Sequence, residues 1–206
     1  MKPSPFIVLT ADQRRSRRQP DRVPEALAVL NDLPGMALAF ERTTGDEVQG
    51  LVRSASSVVE AVMRLSRLGD WRIGLGLGEV DQPLPGTTRE ARGPAYLLAR
   101  EAVERSRSVA AELRLLGPDV TAGAYDRVQA AETVLWLLRT VWGRRTPQGW
   151  EVAQMLEHAN TAADVAAELG ISPSAVSQRS ARAHIVEDRR GRELAISMLV
   201  DLGLEP

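Results

Sequence analysis

Phe6-Ile7-Val8-Leu9-Thr10 is a continuous run of apolar and β-branched residues near the start of this 206-residue chain. Such a run is typical of a β-strand that is buried on both faces. The stretch from Gln13 to Arg22 follows it and carries five arginines against one aspartate. We therefore predict a central strand that ends at Asp12 and leads through a basic loop into a helix beginning near Val23.

The following segments alternate between strand and helix patterns. Met36 to Arg42 and Val48 to Val52 flank a Thr-Thr-Gly-Asp turn and predict a hairpin. Ala55 to Leu68 has helical spacing, and Trp71 to Val80 alternates apolar residues with glycines, as in a strand approached closely by another backbone or a ligand. A helix is predicted from Pro94 to Leu116. This order predicts an α+β, ferredoxin-like domain with an antiparallel sheet and helices on one face.

The rest of the chain is predicted to be helical. Asp126 to Trp142 is predicted to be a connector helix that packs on one domain or pairs two protomers, and Thr146 to Gly149 a linker or tight turn. We therefore predict an α+β domain at residues 1–117, a connector at 118–146 and an all-α helix-turn-helix domain at 147–206.

The helix-turn-helix prediction depends on one stretch near the C-terminus. Thr161 to Leu169 predicts a short capped helix, Gly170-Ile171-Ser172 a three-residue turn, and Pro173 to Ala183 a second helix. Small Ala166 and apolar Val176 fall where the two helices would pack together. This pattern is typical of modules that read double-stranded DNA in the major groove. The alternative is a three-helix packing module that binds protein or has no ligand.

Charge is unevenly distributed although the net charge is only −1. Glu151 to Gly170 contains four acids and no Lys or Arg, whereas Ser172 to Arg192 contains five arginines against two acids. We therefore expect double-stranded DNA to bind the second segment, because that segment carries the net positive charge. The residues predicted to contact its bases or phosphates are Ser174, Ala175, Ser177, Gln178, Arg179, Arg182, Arg189 and Arg190.

Composition excludes several kinds of site. The chain has no cysteine, which excludes disulfides and thiolate zinc sites, and its two histidines are too few for a histidine metal cage. It has no uncharged run of about 18 residues, and its first residues lack the basic and apolar pattern of a signal peptide. We therefore expect a soluble, cytoplasmic protein with no membrane partner.

Two acids are predicted to meet at one end of the sheet: Asp12 at the end of the first strand and Asp46 in the hairpin turn. Carboxylates on neighbouring strands can share Mg²⁺, whose other positions are filled by water and phosphate oxygens. Gly45 would allow close approach of a nucleoside triphosphate, and a cluster of arginines lies at residues 14–18. The alternative is that Asp46 forms a turn and Asp12 caps the next helix.

At these residues the chain resembles the SatD family. The matching segments are Ala11-Asp12 with Ser16-Arg17, Gly45 to Leu51, Arg72 to Glu79, Gly93 to Tyr96 with Ala99-Arg100, and the terminal helix-turn-helix. More distantly, it is similar to class III nucleotidyl cyclases and GGDEF cyclases. That similarity implies a palm-like domain in which Asp12 and Asp46 hold metal ions, Arg42 lies near the base-recognising position and Arg100 corresponds to the transition-state arginine.

Tyr96 stands where the cyclase pattern has an asparagine. One missing polar group in a dry site can lower the rate by about a hundredfold or more, which favours a nucleotide-sensing domain, or one without ligand binding, over an active cyclase. We therefore predict a homodimeric DNA-binding transcriptional regulator with no assigned catalytic residue. Its nucleotide-binding residues would be Arg42, Gly45 and Arg100, and any cofactor would be Mg²⁺ bound with a nucleotide at Asp12 and Asp46.

Two alternatives remain open. The first is an active metal-dependent nucleotidyl cyclase or transferase that uses Asp12 and Asp46. The second is a scaffold in which the sheet and the Asp126 to Trp142 helix bind another protein.

Overall fold

A computed structural model describes residues 5–118, 122–158 and 161–206. The strands are β1 (Phe6–Gln13), β2 (Met36–Arg42), β3 (Glu47–Val52), β4 (Trp71–Gly78) and β5 (Leu113–Leu116). The helices are α1 (Val23–Leu30), α2 (Ala55–Leu68), α3 (Pro94–Ser106), α4 (Ala122–Arg144), α5 (Pro147–His158), α6 (Ala162–Leu169), α7 (Pro173–Arg182) and α8 (Ile185–Asp201). Residues 1–4, which belong to the segment predicted to lack a signal peptide, residues 119–121, at the start of the predicted connector, and residues 159–160, within the predicted helix-turn-helix domain, lie outside the described residues.

The strands form one sheet in the order β2-β3-β1-β4-β5. β1 lies at its centre and pairs antiparallel with β3 and β4, while β2 pairs antiparallel with β3. The order of the first four strands is that of a ferredoxin-like sheet, and β5 is added in parallel beside β4. The predicted α+β fold class is confirmed.

Helices cover both faces of the sheet. Ile7 and Leu9 of β1 belong to the large core that contains α1 and α2, whereas Phe6 and Val8 belong to a second core with Ala95 of α3. Successive side chains of a strand point to opposite faces, so a wholly apolar central strand requires cover on both sides. The expectation of helices on one face is wrong for this reason.

The glycines of β4 allow α3 to lie unusually close to the sheet. A Cβ atom at Gly76 would lie 2.2 Å from the carbonyl oxygen of Ala95, and one at Gly74 would lie 2.3 Å from the backbone nitrogen of Val103. Of the two predicted reasons for this pattern, the structure shows the approach of another backbone.

Three predicted boundaries are corrected. The helix predicted to reach Leu116 ends at Ser106, and Leu113 to Leu116 is an edge strand with buried Leu113 and Leu115. β1 continues to Gln13, so that Asp12 lies inside the strand. The predicted linker at Thr146 to Gly149 is the start of α5, where the Thr146 hydroxyl accepts a hydrogen bond from the Gly149 N–H at 3.1 Å.

The C-terminal helices contribute to two cores. Leu135 and Trp142 of α4 and Leu199 of α8 are buried in the large core beside α2. A smaller cluster joins α5, α6 and α7 through Val152, Val165 and Val176. The three-segment division remains a prediction. No helix in the described ranges is long and apolar enough to cross a membrane.

Candidate functional site

The α6–α7 unit is built by local capping interactions. The Thr161 hydroxyl accepts a hydrogen bond from the Asp164 N–H at 3.2 Å, and the Asp164 carboxylate accepts one from the Thr161 N–H at 3.0 Å. Gly170 ends α6 in the left-handed conformation (φ 63°), which glycine adopts without steric cost. The Ser172 hydroxyl then accepts a hydrogen bond from the Ala175 N–H at 3.1 Å and starts α7.

Packing fixes the angle between these two helices. Val165 and Ala166 of α6 and Val176 of α7 are buried together with Val152 of α5. Ile171, in the turn, is half-buried against the same cluster. One side of α7 is thereby committed to the cluster, and the opposite side is left to solvent.

The predicted DNA-contacting residues lie mainly on that exposed side. Ser174, Ser177, Gln178 and Arg182 are exposed, and Ala175 is half-buried. Exposed arginines 189 and 190 lie in the first half of α8.

Two nearby arginines have acidic partners instead. Arg179 is half-buried, and its guanidinium lies 3.7 Å from the Glu151 carboxylate. Arg192 lies 2.9 Å from Glu157 and 3.3 Å from Asp188. Both are therefore less free to meet a phosphate than Arg182.

The end of α7 is anchored to α4 and α8 by a buried ion pair. The Arg145 guanidinium, 1% exposed, donates hydrogen bonds to the Ala183 carbonyl at 3.1 and 2.8 Å and lies 2.8 Å from the Asp188 carboxylate. The Trp142 indole N–H also donates to Asp188 at 2.9 Å. This network, which we call the Asp188 anchor, leaves neither charge unpaired in the interior.

A second candidate site is a groove of about 490 Å³ at one end of the sheet. It contains both predicted metal ligands and five arginines. Its lining residues are Asp12, Gln13, Arg15, Ser16, Arg17, Arg18, Asp46, Arg72 and Arg107. We call it the Asp12 groove.

Asp12 is the central acid of this groove. The guanidiniums of Arg72 and Arg107 each lie 3.4 Å from its Oδ2. Partial burial raises the pKa of Asp12 above its ordinary value, and the nearby Asp46 carboxylate raises it further. Arg107 and Arg72 act in the opposite direction without cancelling the rise.

Two of the groove's arginines are missed by the sequence reasoning. Arg72 lies directly opposite Asp12 in the β1–β4 register. Arg107 follows the end of α3, whose predicted continuation to Leu116 would place it mid-helix. If β1 and β4 are paired antiparallel so that their apolar residues lie opposite one another, the sequence predicts that Arg72 lies opposite Asp12.

The predicted nucleotide-binding residues are divided between two places. Arg42 donates a hydrogen bond to the Gly45 carbonyl at 3.1 Å, is paired with Asp21, and shares a shallow groove with Gly45 and Asp46. Arg100 is exposed and lines a different groove of about 300 Å³ beside Tyr96. The structure therefore places Arg42 and Gly45 beside Asp46, whereas Arg100 lines a separate groove within the same chain.

Two carboxylates, those of Asp12 and Asp46, are the acidic groups that line the Asp12 groove and could bind a cation there. Among the described residues, no group of three or more His, Asp or Glu side chains is placed to hold a metal ion. The two carboxylates that face the groove are a sufficient protein contribution for Mg²⁺, which keeps several waters or phosphate oxygens as ligands. The surrounding arginines are suited to phosphate oxygens.

Comparisons with known proteins give one weak likeness. No protein-family model matches the chain, and no curated protein matches it. The chain is similar to the crystal structure of a regulator of polyketide synthase expression from Bifidobacterium adolescentis, with 13% identity and a TM-score of 0.32. The likeness covers 97% of this chain and 80% of that one.

Proposed function

We propose that this chain is a DNA-binding transcriptional regulator related to the SatD family, with α6 and α7 as its helix-turn-helix. The observation that carries the proposal is the α6–α7 unit: two capped helices, a left-handed glycine between them, and an α7 without acidic residues. A helix with these properties can enter the major groove without bringing a like charge toward the phosphates.

The exposed side of α7 offers groups that read base edges. Ser174, Gln178 and Arg182 are spaced four residues apart and therefore form one stripe along the helix. Glutamine pairs in bidentate fashion with adenine and arginine with guanine in the major groove. Arg189 and Arg190 would hold the phosphate backbone without reading sequence.

A homodimer is part of the proposal. A single helix in one groove buries too little surface for tight specific binding, whereas two copies can read half-sites about 34 Å apart. The N-terminal sheet layer or α4 would supply the contact between protomers.

The Asp12 groove is proposed to bind a nucleotide as the signal. Five guanidiniums surround two carboxylates, a combination suited to phosphate oxygens with or without Mg²⁺. Sensing is favoured over cyclase activity because Tyr96 replaces the expected asparagine, and Arg100 lines a different groove within the chain. If nucleoside triphosphates turn over with Mg²⁺ or Mn²⁺ and Asp46→Asn abolishes the turnover, the enzyme alternative replaces sensing.

DNA binding is tested by selecting duplexes from a random pool with the full chain. We expect enrichment of a motif whose affinity falls as salt is raised. Replacing both Gln178 and Arg182 with alanine should weaken binding by about 2–6 kcal/mol and relax two positions of the motif. Arg92→Ala, which removes an exposed arginine in the loop before α3, is the control and should leave the motif unchanged. Absence of any salt-sensitive duplex binding would refute the proposal.

Nucleotide binding is tested separately by thermal unfolding with ATP and GTP, with and without Mg²⁺. A ligand at a hundredfold excess over its dissociation constant stabilises the folded protein by about 2.7 kcal/mol. Asp46→Asn should remove the Mg²⁺-dependent part of this stabilisation. If neither nucleotide shifts the transition, the groove residues have only structural roles.

A further inference from the structure

One further groove in the described part of the chain lies away from both sites discussed above. It is a groove of about 680 Å³ between α1 and α2 on one side and α5 on the other. Its volume is in the range of pockets for small organic ligands, about 300–1,000 Å³. We call it the α2–α5 groove.

The lining combines an apolar floor with a charged rim. Half-buried Met63 and Leu68 of α2 and buried Trp150 and Ala153 of α5 supply apolar surface from both sides. A ligand held on this floor would contact α2 and α5 at once. Such a floor requires a ligand with an apolar body, because a small hydrophilic ion would leave it wet.

Arg67 differs from the other arginines of the rim, because they are paired with carboxylates and its described partners are not carboxylates. Arg22 and Arg64 are paired with Glu25 and Glu60 at 2.9 and 2.8 Å. Arg145 is satisfied by the Asp188 anchor. Arg67 is exposed, and its described partners are the Gln154 side-chain carbonyl at 3.1 Å and the Trp150 ring at 5.2 Å.

The Arg67 guanidinium is therefore available to bind an anion. Among the described residues it has no carboxylate within ion-pair distance, although the groove it lines contains several acids. Its bond to Gln154 bridges α2 and α5 through a neutral acceptor, and a carboxylate would form a shorter, charge-assisted bond in bidentate geometry.

We propose that the α2–α5 groove binds a small organic carboxylate with a ring-sized apolar body. The carboxylate is held by Arg67, and the apolar body lies on half-buried Met63 and Leu68. This site is distinct from the Asp12 groove and from α7, so the proposal does not depend on nucleotide or DNA binding.

Occupancy of this groove would bear on α7 through direct packing. α5 contacts α7 through the buried cluster that contains Val152 and Val176. A ligand between α2 and α5 would therefore contact the helix that packs directly against α7.

The test is isothermal titration of the full chain with 2-naphthoate, with 2-naphthylmethanol as the neutral analogue and acetate as the carboxylate without an apolar body. We expect saturable binding of 2-naphthoate at one site per chain, and at least about tenfold weaker binding of each analogue. Equal affinity for the neutral analogue, or no heat with 2-naphthoate up to its solubility limit, would overturn the proposal.

Variants locate the site. Arg67→Gln should weaken 2-naphthoate binding by about tenfold to a hundredfold, and Arg67→Lys should retain part of the affinity. Arg105→Gln removes an arginine that is also exposed and helical but paired with Glu101 on α3, and should leave binding unchanged. Circular dichroism melts confirm that each variant is folded. Binding that survives in folded Arg67→Gln would place the ligand elsewhere and refute the assignment.

Discussion

At the residue scale, Asp12 links stability to pH. Its pKa is raised in the folded state from an ordinary value of 3.8, so the ionised carboxylate is less favourable in the folded chain than in the unfolded one. The stabilisation from protonated Asp12 is fully present below pH 3.8 and is lost as the pH rises through the raised value. We therefore expect Asp12→Asn to raise the melting temperature at neutral pH.

Thermal melts of both proteins across the acidic and neutral range check this expectation. The gain from Asp12→Asn should shrink toward zero as the pH approaches 3.8, where the wild-type carboxyl also becomes neutral. Asp81→Asn, at an exposed loop position, controls for the general effect of losing a negative charge. A variant less stable than wild type at neutral pH would mean that the Arg72 and Arg107 contacts outweigh burial.

A second prediction at the residue scale concerns Gly76, where α3 lies close to the sheet. A methyl group there would lie 2.2 Å from a backbone oxygen of α3, and backbone cannot turn aside as a side chain can. Gly76→Ala should therefore lower the free energy of unfolding by about 1–3 kcal/mol or more. Gly86→Ala is the matched control, because a Cβ atom there would meet nothing within 4 Å. Urea denaturation of both variants measures the difference, and equal stabilities would contradict the close packing.

At the element scale, the Asp188 anchor holds α4, α7 and α8 together. Replacing Asp188 with alanine leaves the buried Arg145 guanidinium without its carboxylate and the Trp142 indole N–H without its acceptor. We expect a loss of about 3–5 kcal/mol in the free energy of unfolding. Breaking the exposed Arg105–Glu101 pair with Arg105→Ala should cost at most about 1 kcal/mol. Denaturant titrations of the two variants compare these costs, and similar losses would show that the anchor contributes little.

The sequence predicts well those helices and strands whose spacing and capping residues all lie within one continuous segment. α2 is observed with its predicted bounds, Ala55 to Leu68, because its helical spacing, the Ser54 cap and Gly69 are all contiguous. β5 is missed because Leu113 to Leu116 gains its strand character from pairing with β4, and four residues alone suit either state.

The same distinction applies to the candidate sites. Asp12 and Asp46 are predicted to meet because strand ends and hairpin turns are visible locally, whereas Arg72 joins them only through the β1–β4 register. Register depends on two separated strands and on how their faces are covered, which no single segment encodes. The α7 contacts with DNA remain predictions, since they depend on a partner.

At the scale of the whole molecule, a continuous chain of contacts joins the Asp12 groove to α4. Arg72, which contacts Asp12, lies 4.0 Å from the Glu112 carboxylate. The Arg139 guanidinium of α4 donates to the carbonyls of Glu112 and Trp71, each at 2.9 Å. Burial lowers the pKa of Arg139 to about 10, which leaves it protonated at neutral pH. One turn farther along α4, Trp142 enters the Asp188 anchor at the end of α7.

This chain of contacts predicts that Arg139 couples the two proposed sites. If nucleotide binding in the Asp12 groove changes the affinity for DNA, the factor should be about 5–150-fold, typical of coupled sites. Arg139→Lys keeps the charge, but one ammonium group cannot reproduce the paired geometry by which the guanidinium bonds both carbonyls. We expect the variant to bind nucleotide and DNA separately with unchanged affinities while the coupling factor falls toward one.

Fluorescence anisotropy of labelled duplex, with and without saturating nucleotide, measures the coupling factor. Arg127→Lys on the exposed side of α4 is the control and should preserve it. A wild-type factor of one would remove the proposed signal but leave DNA binding intact, whereas an Arg139→Lys factor equal to that of the wild type would exclude this route alone. Because binding linkage is reciprocal, DNA must also change the nucleotide affinity of the wild type by the same factor, and the variant must lose both effects together.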